Sequence, residues 1–154
     1  MSITKLATDW GFWVVSQSVS LAGVVRADYR PGGPGFVTPN EFGLQVAVME
    51  RTRGYSIPSH EHLPVPRATV GTQEVLLIRQ GTLRADLYSP DRDYLASIEL
   101  NAGDAIILNS GGHGFYASED CLFIEVKQGP YVEGKDKVIF SNTVGNETPI
   151  RLIE

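Results

Sequence analysis

The 154-residue sequence predicts an all-β fold, and three observations carry that expectation. Short apolar runs rich in branched residues recur along the chain, as in EVLLIRQ, YLASIEL and AIIL. Turn signals interrupt them about every eight to twelve residues, drawn from 16 Gly and 9 Pro. No long amphipathic helix, internal repeat or low-complexity tract accompanies them. A sandwich or barrel suits this pattern.

In chain order, residues 1–30 hold Trp10, Trp13 and VVSQSVSLAGVV, enough for one or two strands. RPGGPG (30–35) reads as a turn or loop, because Pro fixes φ and Gly permits positive φ. FGLQVAVMERTRG reads as a strand ending at Gly54, and LPVPRATVG is too rich in Pro for a strand interior. EVLLIRQ is a strand with Gly81 at its turn, and TLRADLYS alternates and should pair back on it as a hairpin. YLASIEL, AIILN and CLFIEVKQ are further strands, with SGGHGF a glycine-rich link before the last of them. VIF and PIRLI offer a last strand or a tail. The expected organisation is one domain: N-terminal strands or an arm over 1–40, a barrel over 41–140, and a strand or tail over 141–154.

Composition narrows the function. A net charge of −5 argues against a nucleic-acid footprint. No run of roughly 18 apolar residues is present, so no membrane partner is expected. The N-terminal residues lack the pattern of a signal peptide, and Cys121 alone cannot form an internal disulfide; both fit a cytoplasmic protein. In EVLLIRQ, Glu74, Leu76 and Ile78 share one face, and Val75, Leu77 and Arg79 the other. Both faces are largely apolar, so the outer one needs a cover. The N-terminal Trp residues or a second copy would supply it, and a homodimer is expected.

The three histidines fall in two short segments. His60 and His62, two apart, would point the same way on a strand. Glu74 shares its strand face with apolar neighbours, an odd place for a carboxylate unless paired or ligating. His113 sits among Gly111, Gly112 and Gly114, where the backbone can bend to aim it inward. Three imidazoles and a carboxylate suit one divalent transition metal, Fe, Mn, Ni, Cu or Zn, better than Mg or Ca.

Gly54, His60-x-His62, Glu74 and Gly81 together resemble the first motif of the cupin superfamily, and Gly103-Asp104, Gly111 and His113 resemble the second. The resemblance spans about the central 60 residues and implies a double-stranded β-helix, the jelly-roll cupin barrel. It implies His60, His62, Glu74 and His113 as the metal ligands. The chain departs from the pattern in four ways. Eleven residues separate His62 from Glu74, where the family usually has three or four. Asn109 stands in place of a usual Pro, His113 arrives one residue early, and Ala117 stands in place of a usual Asn. More loosely, TQEVLLIRQG and IEVKQGPY resemble uncharacterised cupins associated with bacterial surface-polysaccharide and nucleotide-sugar pathways.

Around the mouth of such a barrel, Glu125 and Lys127 share a face with Phe123 and are the acid–base candidates; an ordinary wetted strand face is the plainer reading. Arg67, in the inserted loop, would hold a substrate carboxylate or phosphate, and Tyr131 would close over the mouth. For Arg67 a solvated loop position, and for Tyr131 packing at a turn, are the alternatives. The expected function is a metal-dependent enzyme acting on a small polar substrate such as a sugar or sugar nucleotide, by isomerisation, epimerisation or oxygenation. The rivals are a non-catalytic binding or sensing module and a metal-free acid–base isomerase.

Overall fold

The computed structural model describes residues 2–141, 144 and 150–154, and its regular structure is all β-strand. The chain forms two units, Met1–Tyr29 with Thr72–Glu154, and Arg30–Gly71. The first unit begins with β1 (Ile3–Ala7), β2 (Gly11–Ser16) and β3 (Val19–Val25). The second carries β4 (Pro34–Phe36) and β5 (Ala47–Met49). The first then resumes with β6 (Glu74–Gln80), β7 (Leu83–Tyr88), β8 (Tyr94–Leu100), β9 (Ala105–Leu108), β10 (Gly112–Ala117), β11 (Leu122–Lys127) and β12 (Leu152–Ile153).

Side-chain alternation sorts these strands into layers. β1, β2, β3, β9, β6 and β11 bond in that order into one sheet, and β10, β7, β8 and β12 into another. Pairing is antiparallel except between β12 and β8. Phe12, Val14, Leu76, Ile78, Ile106 and Leu108 from the first sheet join Leu83, Ala85, Leu87, Ile98 and Leu100 from the second in one core. Each of these side chains larger than Ala85 contributes about 1.5–3 kcal/mol on leaving water.

The expected hairpin between EVLLIRQ and TLRADLYS does not form. β6 pairs with β9 and β11, and β7 with β8 and β10, so Gly81 and Thr82 carry the chain from one sheet to the other. Crossing sets the apolar faces of β6 and β7 against each other across the core instead of side by side. Gly81 permits it: its φ is 74°, and a Cβ there would strike the carbonyl of Asp120. Nor do the two sheets close on each other among the described residues. No strand of one sheet pairs with the other, and β1, β11, β10 and β12 are sheet edges.

Two further differences are local. SGGHGF, read as a link, contributes β10, because glycine does not prevent pairing once a partner strand, β7, lies alongside. RPGGPG, read as a turn, contributes β4. Of the expected strand or tail over 141–154, residues 142–143 and 145–149 lie outside the described residues; Leu152 and Ile153 pair with Ser97 and Ile98.

The outer face of the four-stranded sheet carries Asp86, fully buried. Arg84 donates to it from Nε at 2.9 Å and from Nη2 at 3.1 Å, and the Ser97 hydroxyl donates to the same carboxylate. Tyr94 reaches Ser97 at 2.8 Å, and its hydroxyl accepts the Arg151 backbone N–H at 3.0 Å. That chain of bonds ties down β12. On the outer face of the six-stranded sheet, the Trp13 ring lies over Gly23, where any Cβ would meet it at 2.7 Å. Trp10 packs edge-on to Trp13, with centroids 5.5 Å apart.

In the second unit, β4 pairs antiparallel with β5 from Pro34↔Met49 to Phe36↔Ala47. The Gln45 amide donates to the carbonyls of Pro39 and Phe42, and Thr38 Oγ1 accepts the Val46 N–H at 2.9 Å. Residues 50–71 add no strand.

Asp86→Ala should leave the Arg84 guanidinium and Ser97 without their acceptor and cost about 3 kcal/mol. Urea unfolding of both proteins measures it, and coincident midpoints would show the network carries no stability.

Candidate functional site

The site grows from the period of β6. Leu76 and Ile78 point into the core, so Glu74, two residues earlier, points the same way at the end of the strand. β11 pairs Lys127 with Glu74, Glu125 with Leu76 and Phe123 with Ile78, which puts these three on the inner side as well. From the facing sheet, β10 pairs His113 with Leu87, an inward core residue, so His113 also faces in. The result is a cluster at the open edge between β6, β11 and β10.

Its distances are short. His113 Nε2 is 3.3 Å from Glu74 Oε2, while Lys127 Nζ is 3.8 Å from Glu74 Oε1 and 3.2 Å from Glu125 Oε1. The Glu74 side chain keeps 15% of its exposure, against 41% for Glu125. Ring centroids of His113 and Phe115 lie 5.4 Å apart, and those of Phe115 and Phe123 6.5 Å, making an apolar wall beside the polar groups. Tyr131, exposed, sets its ring 5.7 Å from Lys127 Nζ.

The charges reinforce one another. The hydrogen bond from His113 holds the Glu74 carboxyl below its ordinary range, opposed by burial and aided by the positive charges of His113, Lys127 and Lys137. The hydrogen bond to Glu125 raises the Lys127 ammonium above its ordinary value, with the Glu125 charge next and Glu74 behind it. Lys127 is therefore bracketed by carboxylates and stays charged at neutral pH. The His113–Glu74 separation also suits metal ligation: two donors at about 2.0–2.2 Å from one ion, at right or tetrahedral angles, stand about 2.8–3.6 Å apart.

Three amide residues that the sequence reading did not select buttress the cluster. Gln128, next to Lys127, accepts the backbone N–H of Gln73, next to Glu74. The Gln73 amide donates to Asn109 Oδ1, and Asn109 Nδ2 donates to the Ser20 carbonyl at 2.8 Å. The resemblance noted in the sequence expected Pro at Asn109, a residue with no side-chain amide for these bonds. That departure was the visible signal.

The second unit holds His60, His62 and Arg67, all exposed. The two imidazoles lie with centroids 5.3 Å apart and planes at 74°. His60 Nδ1 is 2.8 Å from the Pro58 carbonyl, which can only accept, so Nδ1 is the donor of that bond. Each unit thus carries two of the four expected ligands. Among the described residues, no three His, Cys, Asp or Glu side chains form a group that could hold a metal ion. Compared with family models, with curated proteins and with solved structures, the chain matches none.

Because the folded-state pKa of Glu74 lies below 4.5, its ionised form favours folding. That contribution is present above the ordinary value and is lost as pH falls through the lower folded one. In EDTA-treated protein, Glu74→Gln should melt earlier than wild type at neutral pH, with the gap closing as the medium becomes more acidic. Melting curves that stay parallel across that range would contradict the pairing.

Proposed function

We propose that the chain is a metal-binding cupin: an open jelly-roll barrel that holds one divalent transition metal and turns over a small polar substrate such as a sugar or sugar nucleotide. The observation that carries this reading is the Glu74–His113 pair, two donors from facing sheets 3.3 Å apart, a spacing compatible with a shared ion. By the sequence resemblance alone, His60 and His62 are candidate ligands as well. The nested antiparallel pairs, β6 with β11 and β7 with β10, support the jelly-roll reading.

The ion would polarise a substrate carbonyl or hydroxyl, or, as Fe(II), support oxygenation. Around it, Lys127 donates a proton, Glu125 accepts one, and Phe115 and Phe123 shield one side from water. An isomerase or epimerase uses that acid–base pair directly. Arg67 and Tyr131 are the proposed substrate contacts.

A second reading rests on a separate observation, the approach of Lys127 Nζ to within 3.8 Å of Glu74. An ammonium so close offers the carboxylate a partner other than a metal and favours metal-free acid–base catalysis, or binding without turnover.

Elemental analysis of protein purified without an affinity tag or chelator separates the readings. About one equivalent of a transition metal is expected, in line with a single site. His113→Ala should lose it, and Glu74→Gln should bind it more weakly than wild type but better than a His60 or His62 variant. No metal, and none taken up on reconstitution, would overturn the metal reading in favour of the second.

A further inference from the structure

Among the described residues, the outer face of the six-stranded sheet is covered at one side and exposed at the other. One cross-strand row runs Trp13, Gly23, Ile107, Val75, Val126. Trp13 lies over Gly23 and Ile107 is fully buried, yet Val126 at the far end is 51% exposed. Leu77 and Ile124 beside it are 42% and 45% exposed, and Leu122, across a register shift from Phe123, is 50% exposed. Among the described residues β11 pairs with β6 alone, so its other edge also presents unpaired backbone groups. A bare apolar edge strand is a template for another strand.

We propose that this edge pairs antiparallel with β11 of a second copy, about a two-fold axis at Ile124, joining two six-stranded sheets into one. The residues themselves select the occupant and the register. An isologous interface must be self-complementary. Centred on Ile124, the outer face sets Leu122 against Val126 of the second copy and Ile124 against its own counterpart, apolar throughout. The inner face sets Glu125 against Phe123 and Lys127 against Cys121. Recentring on Glu125 puts two like charges directly opposite, and recentring on Phe123 puts Val126 against Asp120; both are unfavourable. Odd shifts would turn the apolar set inward.

This arrangement has a consequence for the site. Phe123 of the second copy stands beside Glu125 and continues the apolar wall of Phe115 and Phe123, so each copy completes the other's mouth. The inference does not depend on a metal.

The test uses the full chain. Sedimentation should give a dimer at micromolar concentration, and Ile124→Lys should weaken it at least about tenfold by burying a charge in the pair, with the β-sheet circular dichroism retained. Leu6→Lys, on an exposed site of β1, should leave it intact. In a Cys121→Ser background, Ile124→Cys should oxidise to a disulfide-linked dimer, because directly opposed residues lie within disulfide reach. That cross-link keeps the test decisive should Ile124→Lys fail to fold. A wild-type monomer overturns the proposal and leaves the edge to the chain's own residues or to a different protein. A dimer that is unchanged in Ile124→Lys and does not cross-link through Ile124→Cys overturns it in favour of another face.

Discussion

Alternation along β6 is the constraint on which the rest of this structure depends. Leu76 and Ile78 are buried between the two sheets, and they carry Glu74 inward with them. Turning Glu74 outward would take a one-residue slip, which would put Val75, Leu77 and Arg79 in the core. The carboxylate is therefore held inside by the burial of its neighbours. Desolvating it is unfavourable, and His113 and Lys127 offset that cost by hydrogen bonding and charge.

The same strand also divides polar from apolar function. Its inner face ends in the Glu74 cluster at the sheet edge, where β11 and β10 leave room for Glu125 and Lys127 to keep water contact. Its outer face continues an apolar surface that begins under Trp13 and loses its cover at β11. The crossing at Gly81 makes this division possible. It sends β7 to the facing sheet, so that β6 takes β9 and β11 as neighbours. β11 in turn brings Lys127 opposite Glu74.

Much of this was visible in the residues, and each miss has its own physical cause. EVLLIRQ, YLASIEL, AIIL and LFIEVK are strands as their branched, apolar composition indicates. The shared face of Phe123, Glu125 and Lys127 follows from a period of two alone. The β2–β3 hairpin was obscured because its two-residue turn uses Gln17 and Ser18, with φ of 49° and 65°, where Asn-Gly is the usual signal. β10 was obscured by its glycines. The amide buttress of Gln73, Asn109 and Gln128 joins residues 36 and 55 positions apart, with no local pattern to announce it.

By itself the sequence determined the all-β class, the faces of its longer strands, and the residue types able to hold a proton or a metal. Those follow from side-chain period and chemistry, which are local. The tertiary structure alone decided that β6 crosses the core instead of folding back, that β11 lies beside it, and that His113 meets Glu74 from the facing sheet. Which strands become neighbours is chosen by how all the apolar faces can be buried together, and no single stretch of the chain contains that information.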